Sequence, residues 1–214
     1  MTKLQELSAL VEKGKRNDVK ALTQVLVSEG VKPLVIVEQG LVPGMAAIGE
    51  KFKSNEVFVP EMLVAARAMK EAMIVLEPLL ALAGIKPKHT AVIGTVQGDL
   101  HDIGKNLVVM MLKGANFGII DLGTNVSPGK FVDAIKGGGI DIVALSALLT
   151  TTMPAMRDAV AALRAPDLPP VKIMVGGAPI THEFAREIGA DGYSADAASA
   201  VDLAVSLTAG AAGW

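Results

Sequence analysis

The chain has 214 residues and a mass of 22.1 kDa, enough for one sizeable core or two small ones without covalent staples. It contains no cysteine, which excludes disulfides, iron–sulfur clusters and thiolate zinc sites together, and its three histidines (His89, His101, His182) are too few and too scattered for a polyhistidine metal site. A formal net charge of -2 gives nucleic acid or an anionic membrane surface no broad reason to bind.

The amino-terminal MTKLQELSALVEKGKRND is amphipathic and charged, without the apolar core and cleavage site of a signal peptide, so a cytoplasmic protein is expected. The greasiest stretches, such as AMIVLEPLLALAG, fall short of the roughly 20 apolar residues that cross a bilayer. Residues 1–86 read as helices almost throughout. Leu4, Leu7, Leu10 and Val11 make one apolar stripe, and after the GKRND break Val19, Leu22, Val25 and Leu26 make a second. Pro33 is expected to open a third helix and Gly40 to close it, since proline suits a first turn and glycine an end. A short segment from Val42 to Phe52 follows. A long helix from Pro60 then carries Met62, Leu63, Ala66, Met69, Met73, Leu76 and Leu80, and Pro78 leaves its last turn open. The methionines are either the seam of a core or an adaptable surface over a flat apolar ligand.

From Lys88 the period changes, with KPK at 86–88 as the linker. HTAVIGTV, NFGIIDLG, DIVALSAL, VKIMVGGAPI and DGYSA read as strands. Each is followed by a predicted helix: DIGKNLVVMMLKGA, the stretch around SPGKFVDAIKGG, MPAMRDAVAAL, HEFAREI and AASAVDLAVSL. Strands this continuously apolar belong in a parallel sheet covered on both faces. The final TAGAAGW reads as a frayed end from which Trp214 could dock on the surface.

Ligands of open parallel sheets sit beyond the carboxyl ends of the strands, and the unusual residues cluster there. They are Gly98 to Gly104, Gly123 to Val126, Ser146 to Thr152, Gly176 to Ala178, and Tyr193 to Asp196. Neither GxGxxG nor GxxxxGK[ST] follows the first strand, which speaks against a dinucleotide or nucleoside triphosphate in the usual position. His101 instead offers one ring nitrogen, with Asp99 two residues away to orient the other. A blander alternative has Asp99 or Asp102 capping the following helix and His101 standing as a surface loop residue.

The order Asp99-x-His101-x-x-Gly104, then Ser146-x-Leu148, then Gly176-Gly177, resembles the DxHxxG…SxL…GG signature of cobalamin-binding domains. IGEKFKSNEVFVPEMLVAARAMKEAM is similar to the helical cap of methyl-carrying corrinoid proteins, those of methylamine, methanol, betaine and aryl ether methyltransferase systems and the matching module of methionine synthase. The fold this implies is α/β: a helical bundle cap over 1–86 and a Rossmann-like (flavodoxin-like) five-stranded cobalamin-binding domain over 87–214. The implied cofactor is cobalamin or a related corrinoid, its cobalt cycling between methylcob(III)alamin and cob(I)alamin. His101 would be the axial cobalt ligand, Asp99 would accept from its distal nitrogen, and Thr152 would stand where the family has a serine hydroxyl. Ser146, Leu148, Gly104, Gly176 and Gly177 would line the slot for the nucleotide tail. Gly98, Asp102, Ile103, Gly123, Val126, Thr150, Tyr193 and Ala195 would complete the cofactor's surroundings from the strand-end loops. Phe52, Val59 and Met62 would cover the upper corrin face, on a cap that moves about the linker near Pro87.

The resemblance implies a methyl carrier and not a self-sufficient enzyme. Its partners would be a substrate-specific methyltransferase and a second one delivering to coenzyme M or tetrahydrofolate, with a reductive activase as a further candidate; nucleic acid and membrane are not expected. The rivals are the cobalamin subunit of an adenosylcobalamin-dependent mutase, which resembles only the second half, a cobalamin-dependent sensor, and a cofactor-free receiver-like domain.

Overall fold

A computed structural model describes residues 1–210; the reading of Trp214 falls on 211–214, outside the described residues. The chain forms two compact units, residues 1–88 with 113–116, and residues 89–112 with 117 onward.

The first unit is helical. It contains α1 (Lys3–Glu12), α2 (Arg16–Ser28), α3 (Pro33–Ile36), α4 (Val42–Lys53) and α5 (Val59–Leu82). Thr2 and Gln5 cap α1 reciprocally, each side chain accepting from the other's backbone N–H. On α2 the buried stripe is Val19, Thr23 and Leu26, while Val25 is exposed. Thr23 can be buried because its hydroxyl donates to the Val19 carbonyl at 2.7 Å.

Gly40 does not end a helix. The chain runs from α3 to α4 through a wide π turn at Val37–Leu41, where the Val42 N–H bonds to the Val37 carbonyl. Pro43 explains the widening: it has no N–H to offer Gln39, and its ring crowds that carbonyl. Gly40 and Gly44 then lie one turn apart on the face toward α1. A Cβ on Gly40 would stand 2.8 Å from Leu7 Cδ2, and one on Gly44 would stand 2.5 Å from the Ser8 carbonyl oxygen. Both glycines are spent on close helix packing, although sequence alone reads Gly40 as a stop. Similarly, Pro78 does not end α5, which continues to Leu82.

The second unit alternates strand and helix: β1 (Thr90–Thr95), α6 (Ile103–Gly114), β2 (Gly118–Asp121), α7 (Pro128–Ile135), β3 (Ile142–Ser146), α8 (Met153–Leu163), β4 (Lys172–Gly176), α9 (His182–Glu187), β5 (Gly192–Ser194) and α10 (Ala197–Thr208). All pairings are parallel and the strand order is β2-β1-β3-β4-β5. β1, β3 and β4 are buried as their apolar runs predict; the edge strand β2 is not, and Ile120 is exposed.

Alternation along the strands divides the sheet's two faces. Val92, Val96, Val143, Leu145, Ile173 and Val175 join Phe131, Ile135, Met156 and Val160 in one apolar core. The opposite face carries, at its carboxyl edge, a row of small residues in register across four strands: Thr95, Ser146, Gly176 and Ser194.

Gly177, just past β4, has φ +126°, and a Cβ there would lie 1.8 Å from the Ala147 carbonyl oxygen. Gly177→Ala should therefore destabilise the cofactor-free protein by at least about 2 kcal/mol in urea unfolding. Gly139→Ala, at φ +74° with nothing within 4 Å, should cost only the backbone strain of about 1 kcal/mol.

Candidate functional site

The connections from β1 and β3 leave in opposite directions, so the crevice of this sheet opens at the carboxyl ends of those two strands. Asp99 sits in it, fully buried. Its Oδ1 accepts from the His101 backbone N–H at 3.0 Å and lies 2.7 Å from His101 Nδ1. Its Oδ2 accepts from the Leu148 N–H at 2.7 Å and the Thr152 hydroxyl at 2.8 Å. Burial alone would raise the carboxyl's pKa, but these four hydrogen bonds outweigh it and hold the group well below the usual carboxylate range.

An ionised carboxylate can only accept, so the proton of a neutral His101 ring belongs on Nδ1 and the lone pair on Nε2. The His101 side chain is 51% exposed while its partner is 0% exposed. One basic nitrogen is thus presented outward from a buried mount.

Two residues without a role in the sequence reading complete the mount. Thr95 donates its hydroxyl to the His101 carbonyl at 2.9 Å. Asn125, at φ +54°, accepts from the Gly98 N–H through Oδ1 at 2.8 Å and donates its own N–H to the Asp99 carbonyl at 3.0 Å. The loop after β2 therefore clamps the loop that carries His101. The signal was an asparagine in a glycine-flanked turn, a residue type that tolerates positive φ.

Lys105 acts through a partner far away in sequence. Only 3% exposed, it donates to both Asp121 oxygens at 2.7 and 2.8 Å and to Asn106 Oδ1 at 2.7 Å. This ties the first turn of α6 to the end of β2. Asn106 in turn donates to the Asp102 side chain at 2.9 Å, which braces the first turn of the helix.

On the loops that carry His101 and the donors to Asp99, the side chains of Leu100, Ile103, Leu148 and Leu149 are exposed, apolar groups close in sequence to a polar centre. Thr150, next to Leu149, and Ala195, just past β5, are exposed, and Gly98, Gly104 and Gly123 have no packed neighbour where a Cβ would be, apart from the Thr152 methyl 3.8 Å from that of Gly98. Over Gly176 a Cβ would meet only Ser194, its carbonyl oxygen at 3.0 Å and its hydroxyl at 3.5 Å. Gly177, pressed against the Ala147 carbonyl, remains partly exposed next to Gly176. Two expected contacts lie elsewhere. Val126 is 1% exposed and belongs to the core, because it pairs in register with Val96. Tyr193 packs toward the core face and touches the His182 ring edge-on at 4.9 Å, which leaves Ser194 on the face of Ser146 and Gly176. In the helical unit, Phe52 and Val59 are partly exposed and Met62 is wholly buried.

No group of three or more His, Cys, Asp or Glu side chains placed for a metal ion occurs among the described residues. A single imidazole nitrogen, exposed apolar side chains on the same loops and a floor of small residues instead fit a metal that brings its other ligands in a macrocycle, which His101 would hold through Nε2.

Comparison with known proteins agrees in kind. A family model described as B12 binding domain matches residues 89–202, and a second model of the same description matches residues 3–77. The chain is 39% identical over 208 residues to a corrinoid protein of Desulfitobacterium hafniense (strain Y51), covering 95% of this chain and 96% of that one. It is 40% identical over 210 residues to dimethylamine corrinoid protein 2 of Methanosarcina acetivorans, covering 97% and 96%. Among solved structures it is similar to a chain of the methanol:cobalamin methyltransferase complex MtaBC from Methanosarcina barkeri, with a TM-score of 0.87, 25% identity, and coverage of 98% and 81%.

The Asp99 mount makes a pH-dependent prediction. A carboxyl whose folded pKa is depressed contributes stability above its unfolded pKa of about 3.9 and loses it as pH falls toward the folded value. The margin of the wild type over Asp99→Asn, measured by urea unfolding of the cofactor-free protein, should be flat above about pH 5. Below about pH 4 it should shrink by about 1.4 kcal/mol per pH unit; a margin that stays flat there would mean that Asp99 is not held ionised.

Proposed function

Because the chain belongs to the B12-binding corrinoid proteins, and its relatives serve methylamine- and methanol-type methyltransferase systems, we propose that it carries a methyl group on cobalt between two methyltransferases. The observation that carries this reading is the outward Nε2 of His101, whose Nδ1 is fixed by a buried, ionised carboxylate. A bound corrinoid would supply a cobalt able to accept and release a methyl group, held by a protein nitrogen.

The protein's own residues do the rest. His101 would hold the metal through Nε2, and Asp99 keeps the Nδ1 proton in place so that Nε2 stays available. Thr152 and the Leu148 N–H hold Asp99 in turn, and this second layer sets how strongly the imidazole donates. Leu100, Ile103, Leu148 and Leu149 keep water from the space beneath the macrocycle. Ser146 and Gly176 would receive the nucleotide tail.

One partner would be a substrate-specific methyltransferase that loads the methyl group. The other would be a methyltransferase that passes it to coenzyme M or tetrahydrofolate, with a reductive activase restoring the cofactor after adventitious oxidation. The chain need only present the methyl group to each of them, so its own residues act on ligation and shielding and not on the donor or acceptor.

Replacing His101 with Ala tests the ligation directly. The Co(II) form of the loaded variant should lose the nitrogen hyperfine splitting that isotopic labelling of histidine alters in the wild type. A splitting that is insensitive to both the label and the substitution would remove His101 from the metal.

A further inference from the structure

The in-register row Thr95, Ser146, Gly176 and Ser194 contains more hydrogen-bonding capacity than the fold uses. Thr95 spends its hydroxyl on the His101 carbonyl. Ser146 and Ser194 have no side-chain hydrogen bond among the described residues, although Ser194 is only 9% exposed. No wholly buried side-chain nitrogen or oxygen among the described residues lacks a partner. The Ser194 oxygen, lacking one, therefore opens on space that water can reach, from a residue otherwise more than nine-tenths covered. The hydroxyl lies 3.5 Å from where a Gly176 Cβ would be, beside the bare floor between the two serines. Ser146 and Ser194 flank that floor at two strand spacings, about 9–10 Å between backbones, a span that a two-ring base with a hydrogen bond at each end can bridge.

We propose that Ser194 is a specificity-determining contact for the base of the corrinoid's nucleotide tail, and that with Ser146 it favours a base that is polar on both edges, such as a purine, over dimethylbenzimidazole, whose far edge carries only methyl groups. The proposal rests on the carrier reading and adds the choice of lower base to it. A purine's far-edge amine or ring nitrogen meets the Ser194 hydroxyl, whereas two methyl groups strip that hydroxyl of water and return no hydrogen bond. Ser146 serves either base. The depth of the slot is set by Gly176, since any side chain there would fill the floor.

The test compares wild type and Ser194→Ala for binding of three corrinoids, followed by their visible spectra: pseudocobalamin with its adenine base, cobalamin with dimethylbenzimidazole, and cobinamide without a nucleotide tail. The expected result is a loss of about five- to tenfold in affinity for pseudocobalamin, with cobinamide unchanged and cobalamin unchanged or tighter. Because the hydroxyl makes no internal bond, the cofactor-free variant should melt at the wild-type temperature, and Ser194→Thr should retain more of the pseudocobalamin preference than Ser194→Ala. Equal changes for all three corrinoids, or no change for any, would overturn the assignment of Ser194 and leave the carrier reading standing. Failure of the wild type to bind any of the three would instead remove the carrier reading, and this inference with it.

Discussion

The second unit depends at its functional edge on a buried negative charge. Asp99 is fully buried, so its ionised form persists because four donors converge on two oxygens. Those donors come from three places: the loop after β1, the first residues past β3, and the turn that leads into α8. Removing any one leaves a lone pair unmet in a place where that is expensive. The charge therefore dictates the arrangement of the loops as much as the loops position the charge. The imidazole stands where it does because its own loop must bend to supply two of the four bonds.

Around that centre the same economy recurs. Asn125 and Thr95 bond to the backbone of the His101 loop and not to its side chains, so the loop's path is specified independently of what His101 binds. Lys105 and Asp121 fasten the start of α6 to β2 by a charge pair of which the lysine is almost wholly covered. With one partner removed, a pair of this kind leaves an uncompensated buried charge, so each half holds the other to its place. The apolar side chains are left to face outward, which is the reverse of an ordinary loop and the mark of a surface meant to be covered.

Much of this was legible from residue order. The change from a 3.6-residue period to short apolar runs separated helices from parallel strands, and the DxHxxG…SxL…GG order pointed to the crevice where Asp99, His101, Leu148 and Thr152 meet. What could not be read was direction. Gly40 looks like a helix end until α1 is seen pressed against it, and Pro43 gives no hint that it would widen a turn and not break one. Tyr193 and Ser194 are adjacent, and only the strand register decides which of them faces Gly176. Thr95, Asn125 and Lys105 act through partners that are distant in sequence or through backbone atoms, and neither leaves a pattern in spacing.

The clamp of Asn125 and Thr95 on the His101 loop has one more consequence. Every bond in the mount is satisfied within the chain, so the imidazole is already aimed before any macrocycle arrives. Loading then need not freeze a floppy loop, and the entropy that such ordering would cost is not subtracted from the affinity. A carrier built this way can meet its cofactor at low concentration and keep it through many encounters with other proteins, because the grip was set when the chain folded.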